Sequence, residues 1–169
     1  MRIFKCREVK TPTRGTELSA GIDFYIPHYF KETVLKPHED ILIPSGIIAS
    51  FASNLMLMAA EKSGVTSSAT AKSNCETITP EAAAKSLFNS PTILGAKIVD
   101  ADYKGEIHIH IINTGNRNVI LKPDMKIAQF ILVPVYYDDI IEVAERENLY
   151  TNYYNPRGDR GFGEGTGKE

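Results

Sequence analysis

Short apolar or alternating runs, separated by turn residues, recur along most of this chain. Pro27 and Pro44 follow the first two runs and Pro123 precedes the last, and proline interrupts a strand ladder. The regular spacing of short runs between turns predicts an all-β fold, either a sandwich or a barrel. Strands are predicted over residues 22–26, 40–43, 46–51, 55–59, 107–112, 118–121 and 127–137.

Two segments depart from this strand pattern. Within a polar stretch at 66–90, the threonine, proline and glutamate at 79–81 precede three alanines. A capping residue followed by proline and strong helix formers predicts a short helix over 79–88. We interpret the polar stretch as an excursion between strands rather than as a second domain. After Asn148 the composition changes to Tyr, Asn, Gly and Arg, which predicts an arm that leaves the β domain.

Composition narrows the functional classes. The chain has 169 residues, 43% of them hydrophobic, and a formal net charge of −2, which is enough for one domain with its own core. The near-neutral balance excludes a basic module that binds nucleic acid through phosphate contacts alone. No apolar run reaches the length of a membrane span, and the charged first ten residues lack a signal-peptide pattern. Two cysteines are too few for a disulfide framework, so we expect a cytoplasmic protein.

The densest group of chemically useful residues lies at 95–107. A polar centre with Asp100, Asp102 and Tyr103 stands between two strand-like flanks, which predicts a β-hairpin with carboxylates near its turn. A carboxylate held in this way can act as a general base towards water. Aspartate and glycine also terminate hairpins for purely structural reasons, and the residues alone leave both interpretations open.

Two further segments have the chemistry of anion sites. Lys62, Ser63 and Gly64 follow a predicted strand and offer a cation, a hydroxyl and exposed backbone N–H groups. The C-terminal segment holds five glycines in its last dozen residues, together with Arg157 and Phe162. Arginine can bind phosphate oxygens and phenylalanine can stack on a base. A plain turn and a frayed tail explain the two segments equally well.

Taken in order, these segments resemble the homotrimeric dUTPase family over nearly the whole chain. The resemblance implies a distorted jelly-roll barrel of the β-clip type, assembled as a homotrimer that shares its active sites. It implies hydrolysis of dUTP to dUMP and pyrophosphate. It also implies a β domain at 1–150, with an insertion at 66–94, and a C-terminal arm at 151–169 that closes over the site. The five matching segments are 20–24, 62–65, 95–107, 126–129 and 157–167.

The resemblance also implies a role for individual residues. Asp100 would deprotonate the water that attacks the α-phosphorus, and Tyr103 would pack beneath the deoxyribose and exclude a 2′-hydroxyl. Mg²⁺ would arrive on the three phosphates, with Asp23 reached through water. Uracil would be read by the backbone of Lys97, Ile98, Val99 and His108. The phosphates would be held by Lys62, Ser63, Gly64 and Gln129. The closing arm would contribute Arg157, Phe162 and Gly163.

Departures from the family pattern define the alternatives. Lys62 stands where the family usually has arginine, which turns a bidentate phosphate contact into a point charge. The insertion at 66–94 is longer than usual, and a nucleotide-gated binding protein would use it to contact a protein partner. The dCTP deaminases share this fold, but they carry a glutamate where this chain has His110 and lack a tyrosine at position 103, so deamination is disfavoured.

Overall fold

The computed structural model describes residues 1–66, 88 and 90–150 and divides the chain into two units, Met1–Tyr136 and Tyr137–Glu169. The described part of the second unit holds a 3₁₀ turn at Arg146–Asn148. The first unit contains the strands and one helical turn, which are β1 (Arg2–Lys5), β2 (Thr13–Arg14), β3 (Ile22–Tyr25), β4 (Thr33–Leu35), β5 (Asp40–Pro44), β6 (Ile47–Ser50), β7 (Leu55–Ala60), α1 (Ser63–Thr66), β8 (Thr92–Leu94), β9 (Ile98–Val99), β10 (His108–Asn113), β11 (Val119–Leu121) and β12 (Lys126–Pro134).

Antiparallel pairing organises these strands into two main sheets. The larger sheet has the order β2-β3-β12-β7-β9, and the smaller one has the order β5-β10-β8. The pairs β1–β6 and β4–β11 form two further ladders. The nine-residue strand β12 lies at the centre of the larger sheet. Its residue Gln129 therefore lies opposite Asp23 of β3 on one side and Ala60 of β7 on the other.

On β10, the alternation of side chains decides which face of the strand is buried. Ile109 and Ile111 are buried, whereas His108 is exposed, because successive side chains of a strand point to opposite faces. Phe24 of β3 and Phe130 of β12 also lie in the core, where their ring centroids are 4.4 Å apart. An aromatic pair in this tilted arrangement contributes more than its buried area alone.

The all-β prediction is confirmed, and each of the seven predicted runs overlaps a strand. The last strand begins at Lys126 and ends at Pro134 instead of continuing to residue 137. The predictions missed β1, β2, β4 and β8, because two to four residues with charged or polar neighbours give little periodicity. The helix predicted over 79–88 lies, apart from Phe88, outside the described residues. No helix within the described ranges is long and apolar enough to cross a membrane.

Candidate active site

In the segment predicted as a hairpin, the strand β9 pairs with a strand outside the segment. β8 and β10 are antiparallel neighbours, with Leu94 opposite Ile111, but both lie outside the segment at 95–107 that was predicted to form the hairpin. The chain between β8 and β10 contains β9, which pairs with β7 of the larger sheet, and Val99 lies opposite Leu57. Within the described part of the chain, no ladder joins β9 to β10. A gap therefore remains between the edges of two different sheets, and it is bordered by strand backbone.

This gap is a cavity of about 200 Å³, which we call the hairpin cavity. It contains two of the residues with predicted chemical roles, Asp100 and Tyr103. It brings them together with the predicted base-reading positions Ile98, Val99 and His108. Three lining residues, Ala96, Ile107 and Phe130, were not predicted as site residues. Phe130 is 1% exposed and belongs to the core. The available signal for Phe130 was its position in the apolar run predicted as the last strand.

Hydrogen bonds fix the position of Tyr103 at this cavity. Its hydroxyl donates to the main-chain carbonyl of Glu106 at 2.9 Å, and its N–H donates to the carbonyl of Asp100 at 3.2 Å. The ring lies against Gly105, where a Cβ atom would overlap the Tyr103 hydroxyl, so a larger residue there would displace the Tyr103 ring. Tyr103 remains 46% exposed. An aromatic face is thus held in place at the cavity and open to a ligand.

A second cluster surrounds a buried carboxylate, and we call it the lysine cluster (Asp23, Lys62 and Lys126). Asp23 is 4% exposed, and its two oxygens bind different lysines. Oδ1 accepts a hydrogen bond from Lys62 Nζ, and Oδ2 lies 2.8 Å from Lys126 Nζ. Burial acts to raise the pKa of Asp23, but the hydrogen bonds and charges of Lys126 and Lys62 outweigh it and hold this pKa below its usual value. The cluster carries a net positive charge at neutral pH.

Gln129 and Glu61 connect the lysine cluster to its surroundings. Gln129 donates from Nε2 to the carbonyl of Glu61 at 2.9 Å, and its side chain occupies the space that a Cβ atom on Gly21 would need. The Glu61 carboxylate lies 2.6 Å from Lys97 Nζ. Burial acts to raise the pKa of Glu61, but Lys97 and backbone N–H donors outweigh it and lower this pKa. The Lys97 side chain is thereby tied to Glu61.

The two sites lie towards opposite ends of β7. Asp100 follows β9, whose Val99 pairs with Leu57 in an antiparallel ladder, so the chain at Asp100 runs towards the start of β7. Lys62 and Ser63 instead follow its end. The three steps along the strand from Leu57 to Ala60 alone span about 10 Å at 3.3 Å per residue. The structure brings Ile98, Val99 and His108 together with Asp100 and Tyr103, whereas Ser63 lies towards the other end of β7.

The described residues do not form a Mg²⁺ cage of their own. Mg²⁺ prefers several oxygen ligands in octahedral geometry, and among residues 1–66, 88 and 90–150 no three His, Cys, Asp or Glu side chains converge into such a set. Both oxygens of Asp23, the predicted water-mediated ligand, are bound to lysines. The contacts of Asp23 therefore fit the positioning of two cations rather than the binding of a third.

Several predicted residues lie outside the described part of the chain. They include Arg157, Phe162 and Gly163 of the arm, and most of the insertion at 66–94. Ser63 and Gly64 fall in α1 directly after the lysine cluster, and Ser63 is exposed. His110, at the position where a deaminase would carry glutamate, has Nε2 at 2.9 Å from an oxygen of Asp40.

The chain is similar to dUTPases in sequence. The sequence model of the dUTPase family matches residues 81–166. The deoxyuridine 5′-triphosphate nucleotidohydrolase of Caldanaerobacter subterraneus subsp. tengcongensis is 30% identical over 157 residues, which cover 93% of this chain and 88% of that relative.

The fold is similar to solved dUTPases as well. A dUTPase of Staphylococcus bacteriophage 80alpha with dUpNHpp has a TM-score of 0.72 at 17% identity and covers 96% of this chain and 95% of its own. A mutant dUTPase from phage phi11 of S. aureus, described with a structural Mg(II) ion, has a TM-score of 0.65 at 17% identity, covering 86% and 97%. These likenesses are of fold, and they confirm the predicted dUTPase type of all-β architecture.

Proposed function

Because the chain belongs to the dUTPase family, we propose that it hydrolyses dUTP to dUMP and pyrophosphate. The observation that carries this proposal is the hairpin cavity, which gathers three of the four predicted base-reading positions (Ile98, Val99 and His108) with Asp100 and Tyr103 at one gap between sheet edges. A cavity with backbone along its sides suits the uracil edge, because rigid main-chain donors and acceptors discriminate between bases by unmade hydrogen bonds.

The polar side chains of the cavity account for the chemical step and the choice of sugar. Asp100 acts as the general base that takes a proton from water, whose oxygen then attacks the α-phosphorus. The bond from this phosphorus to the bridging oxygen breaks, and pyrophosphate leaves. Tyr103 packs beneath the deoxyribose, and its fixed ring leaves no space for a 2′-hydroxyl. The exposure of both side chains supports direct contact with substrate.

The lysine cluster binds the triphosphate. Lys62 keeps donors beyond the one that binds Asp23, since an ammonium has three, and Ser63, Gly64 and Gln129 add polar groups nearby. The arm residues Arg157, Phe162 and Gly163 close over the phosphates and the base. Mg²⁺ enters as part of the substrate, held by phosphate oxygens.

A homotrimer with shared sites explains how groups at opposite ends of β7 can act on the same substrate. Asp100 must reach the α-phosphorus of the same triphosphate that the lysine cluster binds. The ladder between β7 and β9 directs these groups to opposite ends of the strand within one chain, so we propose that the cavity of one copy meets the lysine cluster of another. Closed cyclic assemblies can repeat such an interface at every subunit.

Release of pyrophosphate from dUTP, dTTP, UTP and dCTP tests the proposed function. We expect turnover of dUTP in the presence of Mg²⁺, and at most slow turnover of the other three nucleotides. Ammonia measured in the dCTP reaction provides the control for deamination. Absence of dUTP turnover, or release of ammonia from dCTP, would contradict the proposal.

A further inference from the structure

Glu106, which lies next to a residue that lines the hairpin cavity, binds the N-terminal part of the chain through its side chain. Its carboxylate oxygens lie 2.7 and 3.1 Å from Arg7 Nε, and the N–H of Gly46 donates to Oε1 at 2.7 Å. The Glu106 side chain is only 14% exposed, whereas that of Arg7 is 52% exposed. Burial acts to raise the pKa of Glu106, but Arg7 and the Gly46 N–H outweigh it and lower this pKa. The carboxylate is therefore charged at neutral pH and bound from two directions.

The main chain of the same residue holds two side chains of the cavity. The Glu106 carbonyl accepts the hydroxyl hydrogen of Tyr103 at 2.9 Å and lies 2.9 Å from His108 Nδ1. The next residue, Ile107, donates its N–H to the carbonyl of Ile47 at 2.9 Å. Anchors on both sides of the Glu106 carbonyl thus fix the acceptor that determines where the Tyr103 ring lies.

We propose that Glu106, held by Arg7, is a positioning residue that determines how strongly this site prefers deoxyribose to ribose. The inference rests on the proposed function, in which Tyr103 packs beneath the sugar. Exclusion of one hydroxyl depends on ring placement within a fraction of an ångström, and such placement requires support from the residues behind the contact. Neither Arg7 nor Glu106 is among the residues that line the hairpin cavity, so in this proposal they act on the sugar through the Glu106 carbonyl.

Arg7→Gln tests this coupling from outside the hairpin. In the full-length chain, kcat/KM for dUTP and for UTP gives the preference ratio, and thermal unfolding reports stability. We expect R7Q to lower the ratio roughly fivefold, the effect of losing about one hydrogen bond, mainly through faster UTP turnover. Glu106→Gln should do the same, because an amide cannot bind Arg7 through both atoms. Arg7→Lys should retain most of the preference.

Glu32→Gln is the matched control. It breaks an ion pair with Lys122, at 3.6 Å, between side chains that are more than half exposed and far in sequence from the hairpin. Its ratio should equal that of the wild type. Intact dUTP turnover with an unchanged ratio in both R7Q and E106Q would overturn the proposal, as would a ratio that falls equally in E32Q.

Tyr103→Phe separates positioning from a general structural effect. This substitution removes the hydroxyl that binds the Glu106 carbonyl, so R7Q should change the ratio by less than about twofold in the Y103F background. Full additivity of the two substitutions would contradict the coupling. A wild-type chain without dUTP turnover would refute the proposed function itself, which is a different outcome from an unchanged ratio.

Discussion

The two halves of the proposed site are built in different ways. The hairpin cavity is walled by strand backbone and apolar side chains, and its reactive groups, Asp100 and Tyr103, are exposed. The lysine cluster is organised by a carboxylate, Asp23, that is almost wholly buried between two cations. The first construction suits selection of a neutral base and sugar by shape and fixed hydrogen bonds, whereas the second suits binding of phosphates by charge. The difference indicates which kind of substitution should damage each half.

The largest effect is expected in the cavity, from Asp100→Asn. The amide keeps the shape of the side chain but cannot take a proton from water, so turnover should fall by about 10²–10⁴-fold. Binding of dUpNHpp, measured by calorimetry, should remain close to that of the wild type. Asp102→Asn is the control from the same turn and should cost less than tenfold. Equal losses in the two variants would remove the basis for treating Asp100 as the base.

In the lysine cluster, Asp23→Asn should weaken both stability and phosphate binding. It leaves Lys62 and Lys126 facing each other without their shared carboxylate, and hydrogen bonds to charged groups are worth about 2 kcal/mol. We expect a similar loss in the free energy of unfolding, measured in urea, and a higher KM for dUTP. Asp40→Asn is the control, because Asp40 is an exposed partner of His110. It should change the free energy of unfolding by less than about 0.5 kcal/mol. A D23N variant with wild-type KM would contradict the role of the cluster.

A smaller effect, in the opposite direction, is expected from Lys62→Arg. A guanidinium has five donors in a fixed plane and can bind Asp23 and a phosphate oxygen with different N–H groups. We expect KM for dUTP to fall about threefold, with little change in kcat, since an added charge-assisted contact in the ground state acts on binding. Lys122→Arg, at the exposed pair with Glu32, should leave KM unchanged. A rise in KM would show that the cluster has no room for arginine.

The smallest expected effect is in the acid stability of the fold. Folding lowers the pKa values of Asp23, Glu61 and Glu106, so their contribution to stability is complete above the unfolded-state values, near pH 4–4.5. It is lost as pH falls through the lower folded-state values, because protons then bind the unfolded chain more readily. The midpoint of urea unfolding should therefore be flat from pH 7 to 5 and decrease below about pH 4. D23N should flatten this decrease, and an unchanged slope would contradict the assignment.

The sequence predicted the parts of the molecule that depend on local pattern. The alternation around Ile109 and Ile111 identified β10, and the order of short motifs identified the cavity residues around Asp100. The features that depend on pairing between distant segments were not predicted from the sequence. Three features belong to this class: β9 pairs with β7 instead of β10, Lys126 shares Asp23 with Lys62, and Arg7 binds Glu106. Each depends on which distant segments pair and in which register, and a single sequence does not reveal this.

Mixing two inactive variants tests most directly whether the cavity of one copy completes the lysine cluster of another. One chain carries Asp100→Asn, and the other carries Lys62→Ala with Ser63→Ala. Each should hydrolyse dUTP very slowly alone. After joint unfolding and refolding at equal amounts, random assembly gives about one quarter of the sites an intact base and an intact cluster from different chains. We therefore predict about one quarter of the wild-type specific activity. A mixture no more active than the two variants measured separately would contradict the account.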